Sequence, residues 1–483
     1  MLKEIRKLAF SLGLAIVFLP AFVLTAFSQK PNIVFILADD LGYGDISCLN
    51  EDGQIRTPNI DRLAETGVVF TDAHAAAATG RPTRYGILTG RYPFRNQKNR
   101  KLQTVYAPPL FDANEITMPL MLKRQGYKTA CFGKWNLGFN WQTVDSLPPS
   151  NKMGHYNIDF NADITGGPRD FGFDYFFGVD APDLPPFTFI ENRKVFSIPK
   201  MYYTEHVYAG CQPGMGVFDW KMDEILPELK IRTVEYISKA ANDSTPFFLY
   251  LPITAPHVPI APSSPYIGFS GLNAYADFVL ETDDFVGIVL DALKANGLAE
   301  NTIVVFTSDN GCSQQAGFEE LETLGHNPNY IFRGSKGDLY EGGHRVPCLV
   351  SWPAKVNTPR IVYQTICLND FMATFAGVAE YSLKTGEATD SYNILPLLLE
   401  PESDRIFREA TIHQSEDGSF AIRKGDWKLL LPGSEAETGE RNSGVQLYNL
   451  KADPGESINL DKKNPERVSE LKALINKIIS GKQ

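Results

Sequence analysis

The chain has 483 residues, of which 43% are hydrophobic and 21% charged, with a formal net charge of −11. This composition excludes a disordered or low-complexity chain. The excess of acids argues against nucleic acid as a partner, because phosphate backbones would be repelled, but it leaves room for one anionic ligand in a local basic pocket.

Residues 1–28 read as a signal peptide. Lys3, Arg6 and Lys7 make a basic start, Leu8 to Phe27 is apolar, and Ala26-Phe27-Ser28 offers small residues for cleavage. A retained membrane anchor is the alternative for an apolar run of this length. Pro20 within the run and its small-residue exit favour cleavage, so the expected location is exported, periplasmic or extracellular, with no stable membrane anchor. Cys48, Cys131, Cys211, Cys312, Cys348 and Cys367 show no CxxC spacing, so no thiolate metal cluster is expected and no disulfide is assigned.

Beyond the leader, "PNIVFILADD", "YKTACFGKWNLG", "PFFLYLPITAPH" and "NTIVVFTSDNG" share one shape: a short apolar β-rich run ending in polar or charged residues. "PCLVSWP" is a further candidate strand. Between them lie helical patterns. Asp61 to Thr66 and Thr83 to Leu88 read as short helices, and Val279, Thr282, Val286, Val289, Leu290 and Leu293 mark one face of a longer helix stopped by Gly297. Alternating strands and helices predict an α/β fold, a large mixed and mostly parallel sheet flanked by helices. Such sheets bind ligands outside the carboxyl ends of their strands. Near Pro359 the texture changes: "FAIRKGDWKLLL" and "VQLYNLKADPGESINL" read as antiparallel strands, and "PERVSELKALINKIIS" as an amphipathic helix with Val468, Leu471, Ile475 and Ile478 on one side. The expected organisation is a large unit over 29–358 and a smaller C-terminal antiparallel sheet plus helix over 359–483.

Asp39 and Asp40 end one predicted strand, and Asp309 and Asn310 end another. One Asp after a strand is ordinarily a helix N-cap. Three carboxylates and an amide at one sheet edge instead repel one another unless a cation is shared, and Ca²⁺ takes oxygen ligands of this kind. Arg84, Lys134, Lys336 and His257 fall just past strand ends or in glycine-containing loops. Singly, each would be an ordinary solvated base. With a divalent cation they leave the pocket net positive, a field that concentrates small anions. Pro82 suits the first turn of a helix whose N–H groups face the same place.

These stretches, with "RPTRYGILTGRYPFR", "PHVP", "RGSKGDLYEGGHRVP" and "LYNLKADPGESINL", occur together in one order. On them the chain resembles the sulfatase family, the arylsulfatase-like branch of the alkaline phosphatase superfamily, over about Pro31 to Leu460. Members with this pattern use a Cys or Ser in C-x-P-x-R-x-x-x-x-T-G, oxidised to formylglycine, whose hydrate supplies an oxygen nucleophile. The resemblance implies that Asp39, Asp40, Asp309 and Asn310 bind Ca²⁺. It further implies that Arg84 steadies the nucleophile's oxygens, that Lys134 and Lys336 hold sulfate oxygens, and that His257 protonates the leaving alcohol. Two positions depart from it. The nucleophile position is Gly80, and the family's G-K-x-H-L-G reads "GKWNLG", so its His is Asn136. Thr79 carries a hydroxyl one residue away, but a shift of one residue ahead of a helix turns a side chain aside.

Three readings follow. The first is a sulfuric ester hydrolase by fold and family, impaired because Gly80 and Asn136 replace the nucleophile and its partner. The second is a catalytically dead homologue that binds a sulfated small molecule or carbohydrate, and the residues favour it for the chemistry. The third, a phosphatase-like transferase, lacks the spaced histidines for zinc. The mouth is expected between Gln142 and Thr204, with Tyr202, Tyr203 and Tyr208 either lining a sugar subsite or packing.

Overall fold

The computed structural model describes residues 30–100, 104–204, 210–400, 405–431 and 444–481; the expected signal segment and Tyr208 lie outside them. Among the described residues, no helix is long and apolar enough to cross a membrane.

The centre of the molecule is a 10-stranded sheet. Five neighbouring strands run parallel in the order Thr302–Ser308, Asn32–Ala38, Phe247–Pro252, Lys128–Lys134 and Tyr175–Val179. Cys348–Ser351 adds antiparallel to the first of these, followed by Gly67–Phe70 and Arg360–Val362. Two-residue strands at Ile190–Glu191 and Lys194–Val195 close the other edge.

The central strands are buried at nearly every position and mostly apolar because both faces are covered. Alternation sends Ile33, Phe35 and Leu37 into one core, and Val34, Ile36 and Ala38 into the other. The first core is closed by the helices Gly80–Thr89, Met118–Arg124 and Asp370–Val378, the second by Pro58–Thr66, Ile225–Ala240 and Ala274–Ala295. In the last helix Val279, Thr282, Val286, Val289 and Leu293 are buried, Leu290 is half-buried, and Gly297 follows the cap at φ +68.

A 4-stranded antiparallel sheet (Thr411–Gln414, Phe420–Lys424, Trp427–Leu431, Gln446–Asn449) and the helix Pro465–Ser480 complete the chain. Leu471 and Ile475 of that helix pack on Ile412, Ile422, Leu429 and Leu447. This second sheet starts further along than the change of texture at 359. Arg360–Val362 pairs in the large sheet, and Phe371, Met372 and Phe375 join its core, because these apolar side chains cover strands that were laid down three hundred residues earlier.

The two sheets meet through buried charges. Lys428 bridges Glu341 at 3.0 Å and Glu456 at 2.9 Å, with all three side chains at 0% exposure or nearly so. Beside it, Asp72 pairs with Arg345 and Arg423. His74, His344 and His413, distant in sequence, also converge here: His74 Nδ1 lies 3.1 Å from His344 Nδ1, and the His344 and His413 rings stack at 3.8 Å. His344 Nε2 reaches the Leu339 carbonyl at 3.1 Å and His413 Nδ1 the Ala75 carbonyl at 2.9 Å, so each ring is satisfied as a neutral donor. Burial, then neighbouring bases, hold both well below the ordinary 6.5. At these two rings the native state therefore binds fewer protons than the unfolded chain once pH drops below that value, and their contribution to stability falls with it. Buried carboxyls that are pushed up act with the opposite sign, Asp309 to about 6 and Glu456 to about 7. The rings are therefore read from the difference between thermal melts of the wild type and of His413→Gln. Between pH 7.5 and 5 the wild type is expected to lose up to about 1.4 kcal/mol per pH unit relative to the variant. Equal pH dependence of the two would contradict a neutral buried His413.

Candidate functional site

The carboxyl ends of four parallel strands converge on one buried cluster. Asp39 and Asp40 leave Asn32–Ala38, Asp309 and Asn310 leave Thr302–Ser308, Lys134 ends Lys128–Lys134, and His257 lies five residues past Phe247–Pro252. Asp40 is at φ +63, in the left-handed region, which Asp tolerates. Crossing the sheet in the order 309, 39, 257, 134 brings together residues that the chain spreads over more than two hundred positions.

Ion pairs tie the cluster. Lys134 Nζ donates to Asp39 Oδ2 at 2.7 Å, and Lys336 Nζ to Asp40 Oδ2 at 2.8 Å. Arg84, wholly buried, donates from Nε to Asp309 Oδ2 at 3.0 Å, with Nη2 at 2.8 Å from the same oxygen and 3.3 Å from Asp39 Oδ1. The Asp40 amide donates to Asp309 Oδ1 at 3.1 Å, and Asn310 Nδ2 to Asp40 Oδ1 at 2.8 Å. His257 Nε2 lies 3.7 Å from Asp40 Oδ2, while its Nδ1 is held by the Val258 carbonyl.

Burial raises the pKa of every carboxyl here, but the bases reverse that for two of the three. Lys134, His257, Arg84 and Lys336 hold Asp39 well below its usual range, and Lys336 and His257 do so for Asp40. Asp309 is pushed up to about 6: burial and the charges of Asp39 and Asp40 outweigh Arg84. Burial also lowers His257, aided by Lys134. One carboxyl thus remains short of cationic charge. The Oδ1 of Asn310, buried beside it, has no hydrogen-bond partner. Asp39, Asp40, Asp309 and Asn310 together offer a hard divalent cation an all-oxygen donor set with one oxygen unspent, which fits Ca²⁺ chemistry.

The helix Gly80–Thr89 enters this cluster with Gly80 first and Thr79 as an uncapped N-cap. The turn before it is fixed by the second sheet: the Ala78 amide donates to the Gln414 carbonyl at 2.8 Å. The Lys336 loop is fixed from both sides, its Gly337 amide donating to the Ala78 carbonyl at 2.7 Å and its carbonyl accepting from Glu416 at 3.2 Å. The C-terminal sheet therefore positions both the helix start and one lysine. A Cβ at Gly80 would stand 2.2 Å from Asp309 Oδ2 and 3.4 Å from Asn310 Oδ1. The side chain missing at Gly80 is the one that would point into the middle of the acids.

A family model described as Sulfatase matches residues 31–381. The chain belongs to the sulfatase family. It is 34% identical to an N-acetylgalactosamine-6-O-sulfatase of Bacteroides thetaiotaomicron over 93% of each chain. It is 30% identical to the human N-acetylgalactosamine-6-sulfatase over 88% of this chain and 78% of that one. A solved Bacteroides thetaiotaomicron structure, described with the metabolism of multiple glycosaminoglycans, superposes with a TM-score of 0.81 at 33% identity, covering 94% of this chain and 100% of that one.

Within this sulfatase-family fold all eight polar candidates lie in one cluster, and Gly80 abuts it. Asn136 lies beside it, two residues past Lys134. The tyrosines of the expected mouth have structural partners: Tyr203 donates to the Val217 carbonyl at 2.7 Å, and Tyr202 to the Asn151 carbonyl at 3.1 Å. Sequence reading passes over Asp180 at the end of Tyr175–Val179, although "DYFFGVDAP" repeats the apolar-run-then-acid shape of the other strand ends.

Proposed function

We propose that this chain binds sulfated carbohydrate in a Ca²⁺-assisted oxyanion cradle and does not turn it over by the family's covalent route. The observation that carries this reading is Gly80. A Cβ there would be directed at Asp309 Oδ2 and Asn310 Oδ1, and glycine has no side chain to oxidise.

Lys134 and Lys336 each present an ammonium group at the cluster, and a sulfate replacing part of their carboxylate contacts gains charge-assisted hydrogen bonds from both. Arg84, locked between Asp39 and Asp309, stays charged and bridges the two acids. Asp39, Asp40, Asp309 and Asn310 would hold the cation, which supplies Lewis-acid charge stabilisation when bound. His257 Nε2 faces the cradle and would exchange a proton with a leaving oxygen, so the acid–base half of hydrolysis is retained while the attacking half is missing. Asn136, where the family has His, removes a second component of that attacking half. The relatives' names point to a 6-sulfated N-acetylgalactosamine as the ligand to try first, and an exported location suits a glycan ligand.

Isothermal titration of the protein with N-acetylgalactosamine 6-sulfate is expected to show saturable binding that strengthens with Ca²⁺. Lys134→Ala and Lys336→Ala should each weaken it about tenfold or more, the scale of one lost charge-assisted hydrogen bond. Binding indifferent to both lysines would place the ligand elsewhere.

A further inference from the structure

Three polar residues beside the cradle each carry one buried side-chain atom with no hydrogen-bond partner among the described residues. Asn136 is at φ +55, a left-handed backbone that Asn tolerates. It is 5% exposed and its Oδ1 is buried with no hydrogen-bond partner. Asp180 is 6% exposed and its Oδ1 is unpartnered in the same way. The Asn136 amide donates to the Asp180 carbonyl at 2.8 Å, which fixes the two residues side by side. Arg81, directly after Gly80, has a buried Nε without a partner. Its charge and that of Lys134 act on the Asp180 carboxyl, which burial pushes up to about 6. Each buried polar atom without a partner costs stability, and native structures keep few of them. Three such atoms, on residues from different strand ends and a helix start that are linked through Asp180, mark a place suited to a partner.

The polarity of the three atoms defines that partner. Two are acceptors and one is a donor. A second sulfate or a carboxylate has only acceptors and would meet the Asp180 charge. A pair of neighbouring ring hydroxyls donates twice and accepts once. We propose that Arg81, Asn136 and Asp180 form a notch that reads two adjacent neutral hydroxyls of the sugar whose sulfate lies in the cradle. The proposal rests on the cradle reading above and narrows it to a ligand that is unsulfated at the positions entering the notch. It also gives Asn136 a use of its own: the position where relatives carry a catalytic group carries an acceptor for the sugar ring.

Calorimetric titration at pH 7.5 in Ca²⁺, with inorganic sulfate and with N-acetylgalactosamine 6-sulfate, separates cradle from notch. The wild type is expected to bind the sugar sulfate at least about tenfold more tightly than inorganic sulfate. Asn136→Gly keeps the left-handed backbone unstrained and should lose about tenfold for the sugar sulfate with no change for sulfate. Asp180→Ala should lose as much or more for the sugar sulfate, while inorganic sulfate binds equally or more tightly, because an anion next to the cradle is gone. Opposite or unequal responses of the two ligands cannot arise from simple damage to the fold. Parallel weakening of both ligands in both variants would make the pair structural and overturn the proposal. Unchanged sugar binding in Asn136→Gly would leave the notch to ordered water and overturn it equally. A wild type that binds sulfate and sugar sulfate alike overturns the notch and leaves the cradle standing, whereas one that binds neither removes both.

Discussion

Gly80→Cys combined with Asn136→His, co-expressed with a formylglycine-generating enzyme, is expected to release sulfate from N-acetylgalactosamine 6-sulfate at least about 10²-fold faster than the parent chain, the lower end of what positioned proton transfer alone contributes. Arg84, Lys134, Lys336 and His257 are held on the same acid cluster that the new side chain would enter. Its Cβ would lie 2.2 Å from Asp309 Oδ2, so Asp309 has to turn away. A cation held by Asp39, Asp40 and Asn310 would favour that displacement by offering Asp309 a new partner. Without Ca²⁺ the double variant should consequently be less stable than the parent by about 1–3 kcal/mol, the usual cost of overpacking, and Ca²⁺ should restore both stability and turnover. Sulfate assays and melts with Ca²⁺ or chelator read the two effects together. A variant that is modified, well folded with Ca²⁺ and still inert would mean that more of the site than these two positions has decayed.

Lys428→Met is expected to destabilise the protein by about 3–5 kcal/mol, although it lies outside the site. The change leaves Glu341 and Glu456 buried without the ammonium that separates them. Glu341 keeps Arg345 at 3.1 Å, whereas Glu456 keeps mainly the Glu341 amide at 2.6 Å. Glu456 is already pushed up to about 7 by burial, against the pull of Lys428. Adding Glu456→Gln removes the unpaired charge, so the double variant should recover at least half of the loss. Urea denaturation checks both: additive losses would show that Lys428 acts by packing and not by compensating charge. Because this network fixes the short helix Glu341–His344, which starts five residues past Lys336, the single variant should also loosen the lysine loop.

The strand-end acids and bases are legible in the sequence because each follows a run too apolar to be anything but a covered strand. A chain that stops such a run with Asp-Asp or Asp-Asn is placing charge at a sheet edge. Gly80 is legible only through the family pattern, and Lys336 otherwise only as a base in a glycine-containing loop, since nothing in "RGSKGDLYEGG" or "AAAATGRPT" locates either against strand ends hundreds of residues away. The edge strands Gly67–Phe70 and Arg360–Val362 are too short to announce themselves, and the polarity near 359 belongs to the mostly exposed stretch 354–359 that leads into the second of them. The three stacked histidines and the Arg81–Asn136–Asp180 group are products of topology alone: residues that are individually unremarkable, brought together by strand order. The hydrogen bonds from Gln414 and Glu416 that hold the site turns are of the same kind, visible only once the second sheet is docked.

The measurement that bears most directly on this account is sulfate release by the unaltered chain. Purified protein, incubated with N-acetylgalactosamine 6-sulfate and Ca²⁺ at a concentration where titration shows the site filled, is predicted to release no sulfate above the protein-free control. Release that follows enzyme concentration and disappears in Lys134→Ala would contradict it, because the cradle would then be supplying a nucleophile that Gly80 does not possess.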